Sequence, residues 1–289
     1  MEKRNDAVFI LTHGRADNVK TYNSLRKSGY KGKIYLIIDD EDSQAEEYKK
    51  RYGDDVIVFS KAEAAEYTDV ADTQTARNVV VFARNTCHKI AKELGLTHFC
   101  EVDDDYSTYR FRYERDNGLH GDVSVTDMDK LFDYMYDFLD VSGAVAVCPA
   151  QGGDYIGGIG SGVWKNRILR KAMNMFFCRT DRPFKFYGRL NEDTTAYTVL
   201  GQRGVLFFTV ANWCLNQQQT QANKGGLTDS YLENGTYVKS FYSVMYSPSC
   251  VKIAIIGGGG GGFNHWRIHH RVNWGKCTPK IISEKWKKK

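Results

Sequence analysis

The 289-residue sequence has few of the features that mark a linker, a secreted protein or a membrane protein. Only four prolines occur, which excludes a long proline-rich linker. No segment approaches the roughly 18 consecutive apolar residues that span a bilayer. The apolar run within residues 1–14 is also too short for the core of a signal peptide. The sequence therefore predicts a cytoplasmic protein with no membrane partner.

Cysteine is present, but not in a pattern that builds a disulfide framework or a zinc site. The seven cysteines are odd in number and widely spaced, and no CxxC motif occurs. Free thiols that are reduced and mostly buried are the expected state, since unpaired cysteine behaves as a small apolar residue.

Two common nucleotide-binding signatures are missing. After the first apolar run, residues 12–17 read THGRAD, which is not the GxGxxG of an NAD-dependent dehydrogenase. A P-loop NTPase is excluded because no GK[ST] occurs, and the glycine run at 257–262 is followed by Phe263 and Asn264.

The formal charge of +5 is unevenly distributed. From Phe263 onward there are eight basic residues and one acid, a balance of +7, so the first 262 residues sum to −2. A basic tail on a nearly neutral body favours contact with a polyanion. The simpler alternative is a solvated terminus.

The first 105 residues alternate apolar runs with helical patterns, as in a parallel sheet covered by helices. Strands are predicted at 8–11, 34–38, 56–59 and 98–102. Helices are predicted at 17–27, from a capping box formed by Ser43 and Glu46, and at 75–94.

The rest of the chain is less regular. We expect a helix from about 126 to 139, a strand at 144–147, a glycine-rich loop at 151–162, a helix at 194–202, and strands at 205–210, 237–246 and 251–256. The prediction is an α/β fold in one domain, whose parts are residues 1–107, a smaller β-rich part at 108–262 and the basic tail 263–289. The hexaglycine 257–262 is the candidate hinge, allowing the tail to close as a lid.

Three carboxylates, Asp103, Asp104 and Asp105, directly follow the strand at 98–102. Ligands of open α/β sheets bind at the carboxyl ends of the strands. Adjacent acids repel one another unless a cation compensates, and Mg²⁺ and Mn²⁺ prefer oxygen ligands. The Asp-x-Asp spacing lets Asp103 and Asp105 converge on one ion. The alternative is a solvated acidic turn. Arg77 and Arg84, on the preceding predicted helix, could reach a phosphate or could form a polar helix face.

A second acidic pair, Glu192 and Asp193, opens the helix predicted at 194–202. Acids at a helix N-terminus are favoured by the helix dipole, so the pair has a purely structural explanation.

These segments together resemble the GT-A glycosyltransferases. The resemblance rests on residues 11–15 (LTHGR), residues 38–40 (IDD) and residues 101–105 (EVDDD). It implies a GT-A fold with a mostly parallel, Rossmann-like sheet, and a nucleotide-sugar donor, most often a UDP-sugar, bound with Mn²⁺ or Mg²⁺. The implied donor contacts are Thr12, Arg15, Asp39 and Asp104, with Arg77 and Arg84 beside them.

The same resemblance assigns chemistry to two further segments. In inverting GT-A enzymes an acid ahead of this helix deprotonates the acceptor hydroxyl, which points to Asp193, with Glu192 as the alternative. A retaining enzyme would need neither. Several GT-A families add a C-terminal histidine to the metal site, and His265, His269 and His270 are the candidates, of which His269 is chosen.

Within GT-A, residues 191–195 (NEDTT), residues 235–242 (GTYVKSFY) and residues 248–249 (PS) resemble the TET-associated glycosyltransferases of bacteriophages. That resemblance implies sugar transfer to hydroxymethylated pyrimidines in phage DNA, such as 5-hydroxymethylcytosine, inside the host cytoplasm. The cations expected to contact DNA are Arg267, Arg271, Lys276 and Lys280. A polysaccharide, protein or small-molecule acceptor is the first alternative, and a non-catalytic DNA-binding protein is the second.

Overall fold

The structure is a computed structural model that describes residues 4–114, 120–151, 172–217, 238–257 and 266–277. Its strands are β1 Asp6–Leu11, β2 Lys33–Asp39, β3 Val56–Phe59, β4 His98–Asp103, β5 Tyr106–Glu114, β6 His120–Ser124, β7 Ala146–Gln151, β8 Met175–Arg179, β9 Phe207–Gln217, β10 Val251–Gly257 and β11 Trp266–Val272. Its helices are α1 Lys20–Lys27, α2 Ala45–Tyr52, α3 Lys61–Glu66, α4 Val81–Glu93, α5 Met128–Ser142, α6 Glu192–Gln202, α7 Val238–Tyr246 and α8 Trp274–Cys277.

Nine of the described strands form one sheet in the order β3-β2-β1-β4-β8-β7-β9-β5-β6. The pairings make β5 and β8 run opposite to the other seven strands. The sheet is therefore mostly parallel, as expected for a GT-A fold, and the α/β class predicted from the sequence is confirmed. Strands from both predicted halves share this sheet, and the carboxyl ends of the seven that run in the same direction lie along a common edge.

The strand β1 shows why the sheet is covered on both faces. Phe9 and Leu11 pack in the cluster that includes α4, whereas Val8 and Ile10 pack in the cluster that includes α1 and α5. All four are buried, so the alternation of side chains distributes one continuous apolar run between two cores.

Several predicted elements differ from those of the structure. Residues 75–80 are not helical, since α4 begins at Val81. The Ser43 capping box is wrong: α2 begins after Gln44, whose amide donates to Asp42. Residues 237–246, expected to be β, contain α7, in which Ser240, Tyr242 and Ser243 are buried. Burial of one helical face has outweighed the β propensity of the aromatic residues there. Gln151, predicted to begin a loop at 151–162, is the last residue of β7, and the rest of that loop lies outside the described residues, as does most of the hexaglycine.

Residues 266–277, which follow the hexaglycine, pack against the rest of the described structure. Strand β11 pairs antiparallel with β10, and the Trp274 ring stacks on Tyr197 of α6 at 5.5 Å between centroids. A side chain at Gly201 would meet the Cys277 carbonyl oxygen at 2.2 Å, which shows how closely α8 approaches α6. Residues 266–277 of the predicted tail are thus part of the folded structure.

Two further expectations concern cysteine and membranes. All seven cysteines are free and buried, as predicted. Among the described residues, no helix combines the length and the apolar character that crossing a membrane requires.

His88, on α4, provides a test of the core through pH. Its two ring nitrogens are buried without a hydrogen-bond partner among the described residues, beside Phe99 and Phe184. Burial lowers the pKa of His88 to about 4. The unfolded chain binds a proton below about pH 6.5, whereas the folded chain does not until about pH 4, so acid removes stability across this window.

We predict that the free energy of unfolding falls less between pH 6.5 and 4 in His88→Phe than in the wild type, by up to about 3 kcal/mol at pH 4. Urea unfolding at several pH values measures this, with Lys89→Gln on the exposed face of α4 as the control. An unchanged pH slope in His88→Phe would show that His88 is not the titrating group.

Candidate active site

The candidate site lies where β1, β2 and β4 end. The register pairs Leu11 of β1 with Ile37 of β2 on one side and with Asp103 of β4 on the other. Asp39 is the last residue of β2, so the two strand-end acids flank the end of β1. This is the edge at which α/β sheets bind ligands.

Arg84 of α4 is the centre of this site. Its side chain is 1% exposed and reaches three carboxylates: Nε donates to Glu192 at 2.9 Å, one terminal nitrogen to Asp103 at 2.6 Å, and the other lies 3.5 Å from Glu101. Glu101 and Asp103 are two residues apart on β4, so both face α4. One guanidinium therefore joins the end of β4 to the start of α6.

The carboxylates around Arg84 outnumber its single positive charge. Burial raises the pKa of Glu101 to about 7, although Arg84 opposes the shift. Burial also raises the pKa of Asp103, with Arg84 lowering it and the nearby Asp105 and Glu192 raising it further. The Asp103 side chain remains 24% exposed, so it is both held by Arg84 and reachable from solvent.

The middle acid of the trio has a different environment. Asp104 is buried and accepts hydrogen bonds from the Thr12 hydroxyl at 2.6 Å and from Arg15 at 2.7 Å. Thr12 also lies 2.8 Å from the Tyr48 hydroxyl. Burial raises the pKa of Asp104, while Arg15 and Thr12 oppose the shift. Asp104 thus ties the loop after β1 to the end of β4.

Asp39 is held by a second network. Its carboxylate lies 2.7 Å from His13 Nδ1 and 2.9 Å from Lys61 Nζ. Burial alone raises the pKa of Asp39, but the hydrogen bonds with His13 and Lys61 outweigh it and leave the pKa below its ordinary value. Glu41 pairs with Arg77 and lies 3.8 Å from Lys61.

The predicted donor contacts all lie near the strand ends, but each of them is engaged by another protein group. These residues are Thr12, Arg15, Asp39, Asp104, Arg77 and Arg84. Direct contact with a donor stays a prediction for each. The structure gives the buried Arg84 and Asp104 another role, since both connect protein segments.

The two predicted acids of α6 differ in environment. Glu192 is paired with Arg84, while Asp193 is buried and accepts a hydrogen bond from the Thr194 amide at 2.6 Å. Burial raises the pKa of Asp193, and the neighbouring Glu192 adds to the shift. Asn191, just before them, has a left-handed backbone with φ of 62°. Its amide reaches Ser243 and His270, each at 2.9 Å. Strained backbone of this kind is often found at functional sites.

The predicted metal ligands, Asp103 and Asp105, suit an ion shared with a bound phosphate better than an ion enclosed by protein ligands alone. Asp103 and Asp105 are both partly exposed, and carboxylate oxygen suits Mg²⁺ or Mn²⁺. Among the described residues, no group of three or more potential ligands surrounds a metal position. Magnesium in phosphate sites is commonly held by one or two carboxylates plus the phosphates. His269 contacts the backbone of His270, and its role as a ligand stays a prediction.

The cations expected to bind DNA are only partly described. Arg271 and Lys276 are exposed, on β11 and α8. The side chain of Arg267 and the whole of Lys280 lie outside the described part of the chain.

Two contributors to the site were missed in the sequence. Glu101 was quoted within the EVDDD segment but was given no role of its own, and the available signal was an acid placed between the apolar Cys100 and Val102. Lys61 gave none, because a lysine at the start of α3 is ordinarily exposed.

Arg84 offers a direct test of the site's assembly. We predict that Arg84→Gln destabilises the protein by about 3–5 kcal/mol, because it leaves Glu101, Asp103 and Glu192 buried without their cation. Arg77→Gln, which breaks the more exposed pair with Glu41, should cost no more than about 1 kcal/mol. Denaturant unfolding compares the two variants. Equal, small losses would contradict the central position of Arg84.

Comparison with known proteins gives a family and two structural similarities. The sequence model of the TET-Associated Glycosyltransferases matches residues 7–226. The comparison with curated proteins gives no match. The fold is similar to a mycobacterial protein known from a crystal structure, with 10% identity and a TM-score of 0.47 over 93% of this chain and 84% of that one.

It is also similar to glucosyl-3-phosphoglycerate synthase from Mycobacterium tuberculosis, solved with Mg²⁺ and uridine diphosphate. There the identity is 10% and the TM-score 0.45, over 93% of this chain and 88% of that one. The family match includes both acidic segments held by Arg84, and it confirms the resemblance seen in the sequence motifs. The chain belongs to the TET-associated glycosyltransferase family.

Proposed function

We propose that the protein transfers a sugar from a nucleotide-sugar donor, most simply a UDP-sugar, to the hydroxymethyl group of a modified pyrimidine in phage DNA. The observation that carries the proposal is the position of Arg84, which contacts both Asp103 and Glu192. Candidate groups for the donor diphosphate and for the acceptor hydroxyl thereby lie beside each other, as a direct transfer requires.

Asp103 and Asp105 are the residues that would hold Mn²⁺ or Mg²⁺ together with the diphosphate. The bound ion would neutralise charge on the departing nucleotide. The residues themselves support this assignment, because Asp103 and Asp105 are both partly exposed at the end of β4, where each raises the electrostatic cost of ionising the other. Arg15 and Arg77, both partly exposed, are the cations near this edge that could meet phosphate oxygens.

Asp193 is the better candidate for the base that takes the acceptor proton. Glu192 is already engaged by the buried guanidinium of Arg84, whereas Asp193 has no such direct contact among those described. The pKa of Asp193 is raised by burial and by Glu192, which strengthens it as a base as long as it is ionised.

We predict that Asp193→Asn lowers kcat by about 10²–10⁴ while donor affinity changes only a few-fold, because the substitution keeps the shape and removes the base. As the pH is lowered, the wild-type kcat should begin to fall at a pH well above 4, because the raised pKa of Asp193 means that its carboxylate takes up a proton at that higher pH. Steady-state kinetics across pH measures both. Near-normal turnover in Asp193→Asn with a large loss in Glu192→Gln would transfer the role to Glu192.

The DNA acceptor is supported by the family and by charge. From Cys250 to Cys277 the chain has four Lys or Arg and no acid. Lys252 and Arg271, both exposed, are directly opposite each other in the β10–β11 pair. Neighbouring cations on a folded hairpin suit the phosphates of a nucleic acid. A target base inside a duplex is either read in the groove or extruded at a cost of a few kcal/mol.

We predict that duplex DNA containing 5-hydroxymethylcytosine gains the mass of one sugar per modified base when incubated with Mn²⁺ and the right nucleotide sugar. Unmodified DNA should gain none, and excess chelator should abolish the reaction. Nucleoside mass analysis over a panel of donors measures the product. Labelling of only a protein, a polysaccharide or a small molecule would refute the DNA acceptor, and DNA binding without any transfer would favour a non-catalytic protein.

The cations can be tested in the same system. Replacing Arg271 and Lys276 by Gln should lower DNA affinity and reduce the slope of its salt dependence by up to about 2, since each phosphate contact contributes roughly one unit. Donor binding should be unchanged. Lys50→Gln with Lys92→Gln, two exposed lysines on α2 and α4, is the matched control. If the slope of DNA affinity against salt were the same in both double variants, the β10–β11 hairpin would not be part of the DNA interface.

A further inference from the structure

A second arginine, Arg189, is buried close to the active site. It lies three residues before Glu192, and its side chain is 6% exposed. Its guanidinium binds both oxygens of Asp72, at 2.7 and 2.8 Å, and the carbonyl oxygen of Gln74 at 2.8 Å, and it also donates to the Ala76 carbonyl. A planar guanidinium fork is suited to hold several acceptors at once.

The segment that Arg189 binds, residues 72–77, overlaps the start of the helix that was predicted at 75–94. Residues 73–76 are exposed, yet the start of the segment, at Asp72 and the residues just before it, is held by further contacts. The Tyr242 hydroxyl donates to Asp72 at 2.7 Å, and the Arg189 amide donates to the Val70 carbonyl at 3.1 Å. Ala71 has a left-handed backbone with φ of 65°, a conformation that needs support from its surroundings.

The other end of this segment reaches the donor side of the sheet edge. Arg77 pairs with Glu41, which follows the end of β2 by two residues. Residues 72–77 therefore extend from the start of α6, where the proposed base is located, to the end of β2. Backbone carbonyls held by a buried cation are less free to move than those of an ordinary surface loop.

Arg84 and Arg189 connect the same two regions in opposite directions. Arg84, on α4, reaches Glu192 at the start of α6, while Arg189, just before α6, reaches the loop that leads into α4. We propose that Arg189 is a positioning residue that fixes residues 72–77 as a wall of the donor's sugar subsite. Thr73, Gln74 and Thr75 supply hydroxyl and amide groups that hydrogen-bond sugar hydroxyls. This inference rests on the proposed glycosyl transfer.

The test uses Arg189→Lys, which keeps the charge but loses the fork, and Asp72→Asn, which weakens the same contact from the loop. The matched control is Arg182→Lys. Arg182 also binds backbone carbonyls, those of Leu139, Ala144 and Asp140, but it does so where β7 begins, at the opposite edge of the sheet.

For Arg189→Lys we expect the donor KM to rise by about 10-fold to 100-fold, the loss typical of a mispositioned binding group. The kcat should fall less, because Arg84 still holds Glu192, and the acceptor KM should stay unchanged. Asp72→Asn should shift the donor KM in the same direction. Arg182→Lys should leave both KM values unchanged, even if it lowers the melting temperature by as much as Arg189→Lys does.

Hydrogen exchange gives a second readout that does not depend on catalysis. Amides of residues 73–77 should exchange faster in Arg189→Lys than in wild type, and they should not do so in Arg182→Lys. Wild-type protein that turns over no nucleotide sugar would refute the proposed function and this inference with it. An active wild type whose donor KM is unaffected by Arg189→Lys would refute the positioning role alone.

Discussion

The candidate site depends on the contacts that the buried guanidinium of Arg84 makes with acidic side chains. Three carboxylates from two separate elements converge on it: Glu101 and Asp103 of β4 and Glu192 of α6. The rings of Phe176 and Phe186 lie 5.3 and 5.5 Å from it. Removing a charge from water is costly, so such a group persists where its partners satisfy it. The guanidinium sets the geometry of the site more than it adds to the stability of the fold.

The electrostatics of the strand ends follow from that arrangement. Arg84 is shared by more acids than it can neutralise, so burial keeps the pKa values of Glu101 and Asp103 above their usual range. By contrast Asp39 has both His13 and Lys61, and its pKa is lowered. The excess of negative charge is therefore concentrated at the end of β4. That concentration favours a divalent cation at this place, and under the proposed function such a cation would in turn hold the diphosphate.

Local pattern was sufficient for much of the fold. The apolar run at 56–59 and the helix at 194–202 follow from short-range signals, and both appear in the structure. Elsewhere the decisive interactions are distant in sequence. Residues 75–80 are not part of α4, because Arg189 binds the carbonyl oxygens of Gln74 and Ala76, which a helix would use for its own hydrogen bonds. The helix α7 forms where Tyr242 and Ser243 face Asp72 and Asn191. Neither contact could be anticipated from neighbours along the chain.

By itself, the sequence determined the α/β class, the strand that ends at the Asp103–Asp105 trio, the acidic pair at the start of α6 and the family resemblance. Each depends on residues adjacent in the chain, where hydrophobic period and turn chemistry act. Only the tertiary structure decided which acids share a cation, that Asp104 turns toward Thr12 and Arg15, and that Arg189 holds a loop more than 100 residues away. Those outcomes arise because burial forces each buried charge to find a partner, and the partner is chosen by packing in space rather than by order in the chain.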